Sequence, residues 1–156
     1  MRKRSPVLVL PAALLLLIAS ALALSAQSNE LIDALLDEAE ADFGKAVYLA
    51  LTAGALIPED ASVEEALAEL NARQWNIGEK TAEDPMNLGE YAYLLMRIFD
   101  VQGGLMYRLF PGPRYAAREL AFREIVRGDP SPGRALSGEE AMRILGALME
   151  WVEVES

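Results

Sequence analysis

The chain of 156 residues is predicted to be an all-α protein, either a helical bundle or a short helical-repeat array of about five to six helices after a signal peptide. Three observations favour this class. Apolar residues recur at helical spacing, helix-start signals recur along the chain, and no alternating run of Val, Ile or Thr bounded by turn residues follows the N-terminal segment.

The N-terminal segment has the pattern of an export signal. Arg2, Lys3 and Arg4 precede an apolar run from Val7 to Leu24, which is typical of a signal peptide. Small residues end the run, so we predict a signal peptide over 1–25 and a single all-α domain over 26–156. The alternative is an uncleaved membrane anchor, because a run of this length can just span a bilayer.

The cysteine count and the net charge restrict the cellular location and the partners that the sequence predicts. The chain has no Cys, so it is predicted to use no disulfide and not to be a lipoprotein. Loss of the leader removes three of the fourteen basic residues and none of the twenty-four acidic ones. The strongly acidic remainder makes nucleic acid an improbable partner. We therefore predict an exported protein of the periplasm or cell envelope.

The charge is unevenly distributed along the chain. The segment from Glu30 to Glu69 carries eleven acidic residues and one cation, Lys45. The segment from Arg108 to Arg127 carries five arginines and two acidic residues. The simplest interpretation is that the acidic and basic parts face each other or water.

Two apolar segments open the predicted domain. Asn29 is predicted to cap an amphipathic helix whose apolar stripe includes Leu31 and Leu35. The segment from Phe43 to Leu56 is almost entirely aliphatic, as is typical of a central helix packed on several sides. Gly54 and Pro58 are predicted to end it.

Four helix-start signals follow at Ser62, Asn87, Gly112 and Ser137, spaced 25 residues apart. Three have the layout of a capping box, with a Glu three residues after the cap, and Gly112 is followed by Pro. Matching core positions follow each start: Leu70, Leu95, Leu120 and Leu145, and also Ala66, Tyr91, Ala116 and Ala141. We therefore predict capped-helix repeats starting near 62, 87, 112 and 137.

Glycines are predicted to close the preceding segments as left-handed C-caps, at Gly54, Gly78, Gly103 with Gly104, and Gly128. The segments between helices are predicted to be loops, among them Gln102 to Pro111.

An apolar helix that ends near a Gly, a short loop and then S-x-x-E-A resembles the S-layer homology repeat. The matching segments are Ala46 to Leu70 and Tyr115 to Leu145. The resemblance implies a helical scaffold of a family in which three repeats pack to bind a cell-wall polysaccharide. The Arg that follows the cap in that family is missing, because Val63, Leu88, Pro113 and Gly138 stand there. Wall-polymer binding is therefore not carried over.

The residue types argue against catalysis. Without His and Cys, the chain lacks imidazole bases, Cys nucleophiles and the usual zinc ligands. The pairs Glu64–Glu65 and Glu139–Glu140 could serve a carboxylate-based hydrolase, but adjacent helical residues point in different directions and Glu65 and Glu140 are predicted to cap helices. We predict no enzyme, no cofactor and no metal site.

The segment from Gly103 to Arg118 is the predicted binding surface, because it crowds aromatic and Arg side chains, the composition of interface hot spots. Its candidate partner-binding residues are Met106, Tyr107, Arg108, Phe110, Arg114 and Arg118. The expected partner is an envelope protein or a cell-wall glycan. The alternative is that Tyr107, Leu109 and Phe110 fill the core while the arginines pair with the acidic first helices. Trp75 and Trp151 are expected to be core or end-sealing residues.

Overall fold

The computed structural model describes residues 29–155, and the predicted signal peptide lies outside them. This part of the chain is all-α, as predicted, with seven helices and no strand beyond isolated bridges. The helices are α1 (residues 29–36), α2 (Phe43–Ala53), α3 (Val63–Ala72), α4 (Leu88–Ile98), α5 (Leu105–Leu109), α6 (Pro113–Phe122) and α7 (Gly138–Glu155). Within residues 29–155, none of these helices is long and apolar enough to cross a membrane.

The helix starts lie at the predicted caps. Ser62 and Asn87 each accept a hydrogen bond from the backbone N–H three residues on, and the Glu at that position accepts one from the cap N–H. At Ser137 only half of the predicted box forms. Its hydroxyl accepts from the Glu140 N–H at 3.2 Å, but the Glu140 carboxylate binds both terminal nitrogens of Arg134 at 2.6 and 2.7 Å. A charged partner holds this carboxylate more strongly than the cap N–H would.

The predicted left-handed glycines do not coincide with the helix ends. Gly78 and Gly128 have positive φ, of 105° and 90°, but they lie several residues beyond α3 and α6. Gly54 has φ of −81°, and the left-handed residue is the next one, Ala55, with φ of 53°. The matching positions after α3, α4 and α6 are Gln74, Asp100 and Glu124, all with positive φ. The left-handed residue turns the chain so that the following apolar residue returns to the core and its N–H reaches the last helical turn, as Ile125 does with the Leu120 carbonyl at 3.0 Å.

The segment from Gln102 to Pro111 is not only a loop, because it contains α5. Gly104 precedes this helix as its N-cap and Leu105 to Leu109 are all adequate helix formers. A five-residue helix leaves no clear periodic signal, so sequence pattern could not separate it from the turns on either side.

The core closes on a ring of three backbone segments. The Ala41 N–H donates to the Leu136 carbonyl at 2.7 Å, the Leu136 N–H donates to the Met86 carbonyl at 3.2 Å, and the Met86 N–H donates to the Ala41 carbonyl at 2.8 Å. All three residues are fully buried. A buried backbone group must find a partner, and here each segment supplies one to the next, in a cycle.

The helix that follows each ring residue extends the same cycle. The Phe43 N–H of α2 donates to Asp84 at 2.8 Å, the Leu88 N–H of α4 donates to Arg134 at 3.0 Å, and the Gly138 N–H of α7 donates to Glu38 at 3.0 Å. The equivalent helices are therefore α2, α4 and α7. α3 packs on α2, and α6 packs on α4. The four helices that start 25 residues apart, α3, α4, α6 and α7, are therefore of two structural types. α4 and α7 follow a ring segment, whereas α3 and α6 pack on α2 and α4, respectively.

Glycines permit the close approach of these segments. A Cβ on Gly138 would lie 1.6 Å from the Leu35 carbonyl oxygen, and one on Gly89 would lie 2.7 Å from the Pro132 Cβ. Atoms at such distances overlap, so a larger residue would force the backbone apart.

The predicted core positions are all buried. Leu70, Leu95, Leu120 and Leu145 are at most 6% exposed, and Ala66, Tyr91, Ala116 and Ala141 are fully buried. The Tyr91 hydroxyl donates to the Ala141 carbonyl at 3.2 Å, which joins α4 to α7. Burial raises the pKa of Tyr91 well above its ordinary value.

Candidate binding surface

The start of α5 is fixed by a Glu–Arg pair on α6. One oxygen of the Glu119 carboxylate accepts from the Gly104 N–H at 2.8 Å, and the other binds Arg123 at 2.9 Å. Arg123 also donates to the Gln102 carbonyl, and its guanidinium lies 4.3 Å from the ring centre of Trp151. Sequence reasoning missed this pair, although its i,i+4 spacing on a predicted helix was a usable signal.

Tyr107 anchors α5 to the body of the protein. Its ring centre lies 6.3 Å from that of the buried Tyr93. Gly103 lies directly beneath it, where a Cβ would come within 2.4 Å of the Tyr107 ring. Burial, together with the neighbouring Tyr93 hydroxyl, raises the pKa of Tyr107 to about 12. Of the six predicted partner-binding residues, Tyr107 is thus the one that supports the surface from below.

The other apolar side chains of this segment point away from the core. The exposed fractions are 68% for Leu105, 54% for Met106, 58% for Leu109 and 63% for Phe110. The alternative in which Leu109 and Phe110 fill the core is therefore wrong. Tyr107 is the inward side chain of this five-residue helix. Phe110, which follows the helix, contacts the ring of Tyr115, with 6.4 Å between the ring centres. Contiguous exposed apolar patches on soluble proteins mark interaction sites.

Three arginines border this apolar patch. Arg108, Arg114 and Arg118 are exposed, and no hydrogen bond or ion pair joins them to any other residue within 29–155. Their expected pairing with the acidic first helices does not form in that range. A shallow groove of about 330 Å³ separates α5 from α6 beside Tyr115 and Arg118. The α5 surface comprises Leu105, Met106, Arg108, Leu109, Phe110, Arg114 and Arg118.

A second groove, of about 390 Å³, lies between α1 and the start of α3. This acidic groove is lined by Glu30, Leu31, Ala34, Ala61, Ser62, Val63 and Glu64. The only cation in the surrounding sequence, Lys45, is bound by Asp42 and Glu38, which raise its pKa. Glu30 and Glu64 are exposed and have no cationic partner among the described residues.

The remaining acidic residues of the described chain include the two acid pairs, Glu64–Glu65 and Glu139–Glu140. No group of three or more His, Cys, Asp or Glu side chains in residues 29–155 could hold a metal ion. The Glu65 carboxylate is occupied by the Ser62 N–H, and the Glu140 carboxylate by Arg134. In each acid pair the carboxylate with a partner thus serves the local structure.

The two tryptophans pack against the core with arginines over their rings. Trp75 and Trp151 are both partly buried. The guanidinium carbons of Arg73 and Arg97 lie 5.2 and 5.6 Å from the ring centre of Trp75, and Arg123 covers Trp151 as described above. Such cation–π contacts keep a large aromatic at the edge of a core, which agrees with an end-sealing role.

Comparison of the chain with family models, with curated proteins and with solved structures gives no match. The fold and the surface therefore define the class: an all-α protein that closes on a ring of three segments and displays an apolar, basic surface on α5.

Proposed function

We propose that the protein is a non-catalytic, exported scaffold or binding protein of the cell envelope, which engages an envelope protein or glycan through the α5 surface. One observation carries the proposal. Four large apolar side chains and three unpaired arginines stand exposed together on α5 and the adjoining face of α6. This combination gives both contact area and charged hydrogen-bond donors to a partner.

The helical scaffold supports the same proposal. In the S-layer homology family, which the sequence resembles, three repeats pack together, and a cyclic core of three segments is compatible with such packing. The missing Arg after each cap leaves the ligand open, and the arginines of the α5 surface take its place as candidate contacts.

Export is proposed on the N-terminal pattern alone. Cell fractionation and sequencing of the mature N-terminus test it directly. A periplasmic protein that starts near residue 26 is expected. A chain that starts at Met1 in the membrane fraction would favour the alternative, a membrane-anchored structural protein of the envelope.

The binding role is tested by charge reversal on α6. Arg114→Glu together with Arg118→Glu should lower the apparent affinity of the purified protein for isolated envelope fractions by about tenfold, because two attractive contacts become repulsive. The affinity is measured by co-sedimentation. The melting temperature should hardly change, since both side chains are exposed. Arg127→Glu is the matched control, because Arg127 is also exposed but lies outside the α5 surface. Equal binding by wild type and the double variant would refute the role of this surface.

A further inference from the structure

We infer that the α5 surface binds a second copy of this chain, whose acidic groove receives α5. The inference rests on the proposed function, because it uses the same surface and names its partner. It follows from two complementary features that the chain displays at different places.

The first feature is the projecting one. α5 presents Leu105, Met106, Leu109 and Phe110 to water, each more than half exposed. Tyr107 and the Glu119–Gly104 hydrogen bond hold this short helix in place. The apolar side chains are therefore displayed on a supported turn, with Arg108, Arg114 and Arg118 at its border. Because this helix is already held in place, the entropic cost of ordering it on binding is reduced.

The second feature is the receiving one. The acidic groove has an apolar floor that includes Leu31, Ala61 and Val63, and Glu30 and Glu64 stand at its edge. Apolar side chains of α5 match the floor, and the arginines match the two carboxylates. Arg–carboxylate contacts add geometric specificity as well as attraction.

The placement of the two features determines the kind of assembly. The α5 surface belongs to the α4–α6 pair, whereas the acidic groove lies between α1 and α3, and the helix contacts of α5 are with α6. Two copies joined this way each keep one unused surface, so the contact is head-to-tail and continues into longer chains unless the rotation closes a ring. Repulsion between acidic molecules is screened beyond about 10 Å at 0.1 M salt, which leaves the local Arg–Glu contacts in place.

The test uses two complementary variants of the protein purified after expression from its full-length gene. The projection variant carries Arg114→Glu and Arg118→Glu, and the groove variant carries Glu30→Lys and Glu64→Lys. Sedimentation velocity of the wild type should show an average mass that rises with protein concentration. For each variant alone, the association constant should fall by about tenfold or more. The controls are Arg127→Glu and Glu83→Lys, at exposed positions outside both features.

Mixing the variants gives the decisive result. In an equimolar mixture the intact projection of the groove variant meets the intact groove of the projection variant, and the two charge-reversed features also attract each other, so association should return and continue beyond two molecules. A variant carrying all four substitutions should likewise associate, because its acidic projection attracts the basic groove of another copy. A wild type that remains monomeric up to about 200 µM, or double variants that each associate alone as the wild type does, would overturn the second-copy inference.

The failure of the inference differs from failure of the proposed function. If the wild type is monomeric and the projection variant still loses envelope binding, the α5 surface has another partner and the proposed function stands. If envelope binding is unchanged in the projection variant, the proposed function itself fails.

Discussion

The left-handed residues after the helix ends show how single positions carry strain in this protein. Glu124 has φ of 62° directly after the cap of α6 and is exposed. An L-residue in this conformation costs about 1–2 kcal/mol, and Gly, which avoids that cost, gives back about 0.5–1 kcal/mol through the freedom of its unfolded state. Glu124→Gly is therefore expected to stabilise the protein by about 0.5–1 kcal/mol in urea unfolding.

The control for this substitution is Glu150→Gly, at an exposed position inside α7. There the same change should destabilise by about 1 kcal/mol, because Gly is a poor helix former. If Glu124→Gly also lowered stability, the left-handed conformation of Glu124 would not be a source of strain that Gly relieves.

Glu140 makes stability depend on pH. Hydrogen bonds from Arg134 hold the pKa of Glu140 below its ordinary value of 4.5. The folded state therefore favours the carboxylate, so the contribution is fully present above pH 4.5 and is lost as the pH falls towards the lower folded pKa. The stability difference between wild type and Glu140→Gln should be largest near neutral pH and should shrink below pH 4.5.

Urea unfolding of both proteins across this range measures the difference. Glu139→Gln, at the exposed neighbouring position, should show little such dependence. A difference for Glu140→Gln that stays constant with pH would contradict the assigned ion pair.

At the scale of the element, α7 contains two glycines with opposite requirements. Gly138 lies at its first turn, where a Cβ would be 1.6 Å from the Leu35 carbonyl oxygen, whereas Gly146 has nothing within 4 Å. Gly138→Ala should cost about 3 kcal/mol or more, because backbone must move to relieve the overlap. Gly146→Ala should stabilise by about 1 kcal/mol, through helix propensity alone.

Both variants carry Gly→Ala in α7, so the type of change in helix propensity is matched between them. Thermal melts measure the difference that remains. Similar melting temperatures for Gly138→Ala and Gly146→Ala would mean that α7 is not held closely against the segment before α2. The ring would then not be what fixes the start of α7 at Gly138.

At the scale of the whole molecule, the ring makes folding cooperative. Ala41, Met86 and Leu136 come from three distant parts of the chain, and each closes a hydrogen bond to the next. A linear repeat array can lose a terminal unit and keep the others, but here loss of any segment leaves buried backbone groups of the other two unpaired. The described domain should therefore unfold in one transition.

The two tryptophans report on this cooperativity from separate places. Trp75 lies between α3 and α4, and Trp151 lies on α7. Fluorescence of Trp75→Phe and of Trp151→Phe should give unfolding curves with the same shape, and each should coincide with the helical circular dichroism signal of the same variant. Fluorescence and circular dichroism midpoints that differ within one variant would rule out a single transition.

The sequence by itself determined the helix starts and the core of this protein. Capping residues and the Leu70, Leu95, Leu120 and Leu145 column depend on local hydrogen bonds and on hydrophobic periodicity, which adjacent residues specify. Composition alone also marked the aromatic and Arg segment from Gly103 to Arg118, but it left open whether these side chains are buried or exposed. The left-handed residues after the helices and the short α5 were missed, since left-handed positions and single turns depend on where the chain must go next.

Only the tertiary structure decided which helices are equivalent and which side chains are free. The ring joins Ala41, Met86 and Leu136, and no local pattern predicts which distant carbonyl a buried N–H will reach. The same holds at the surface. Tyr107 lies against Tyr93 of α4, while Leu109 and Phe110 remain exposed, because so short a helix can bury only one side.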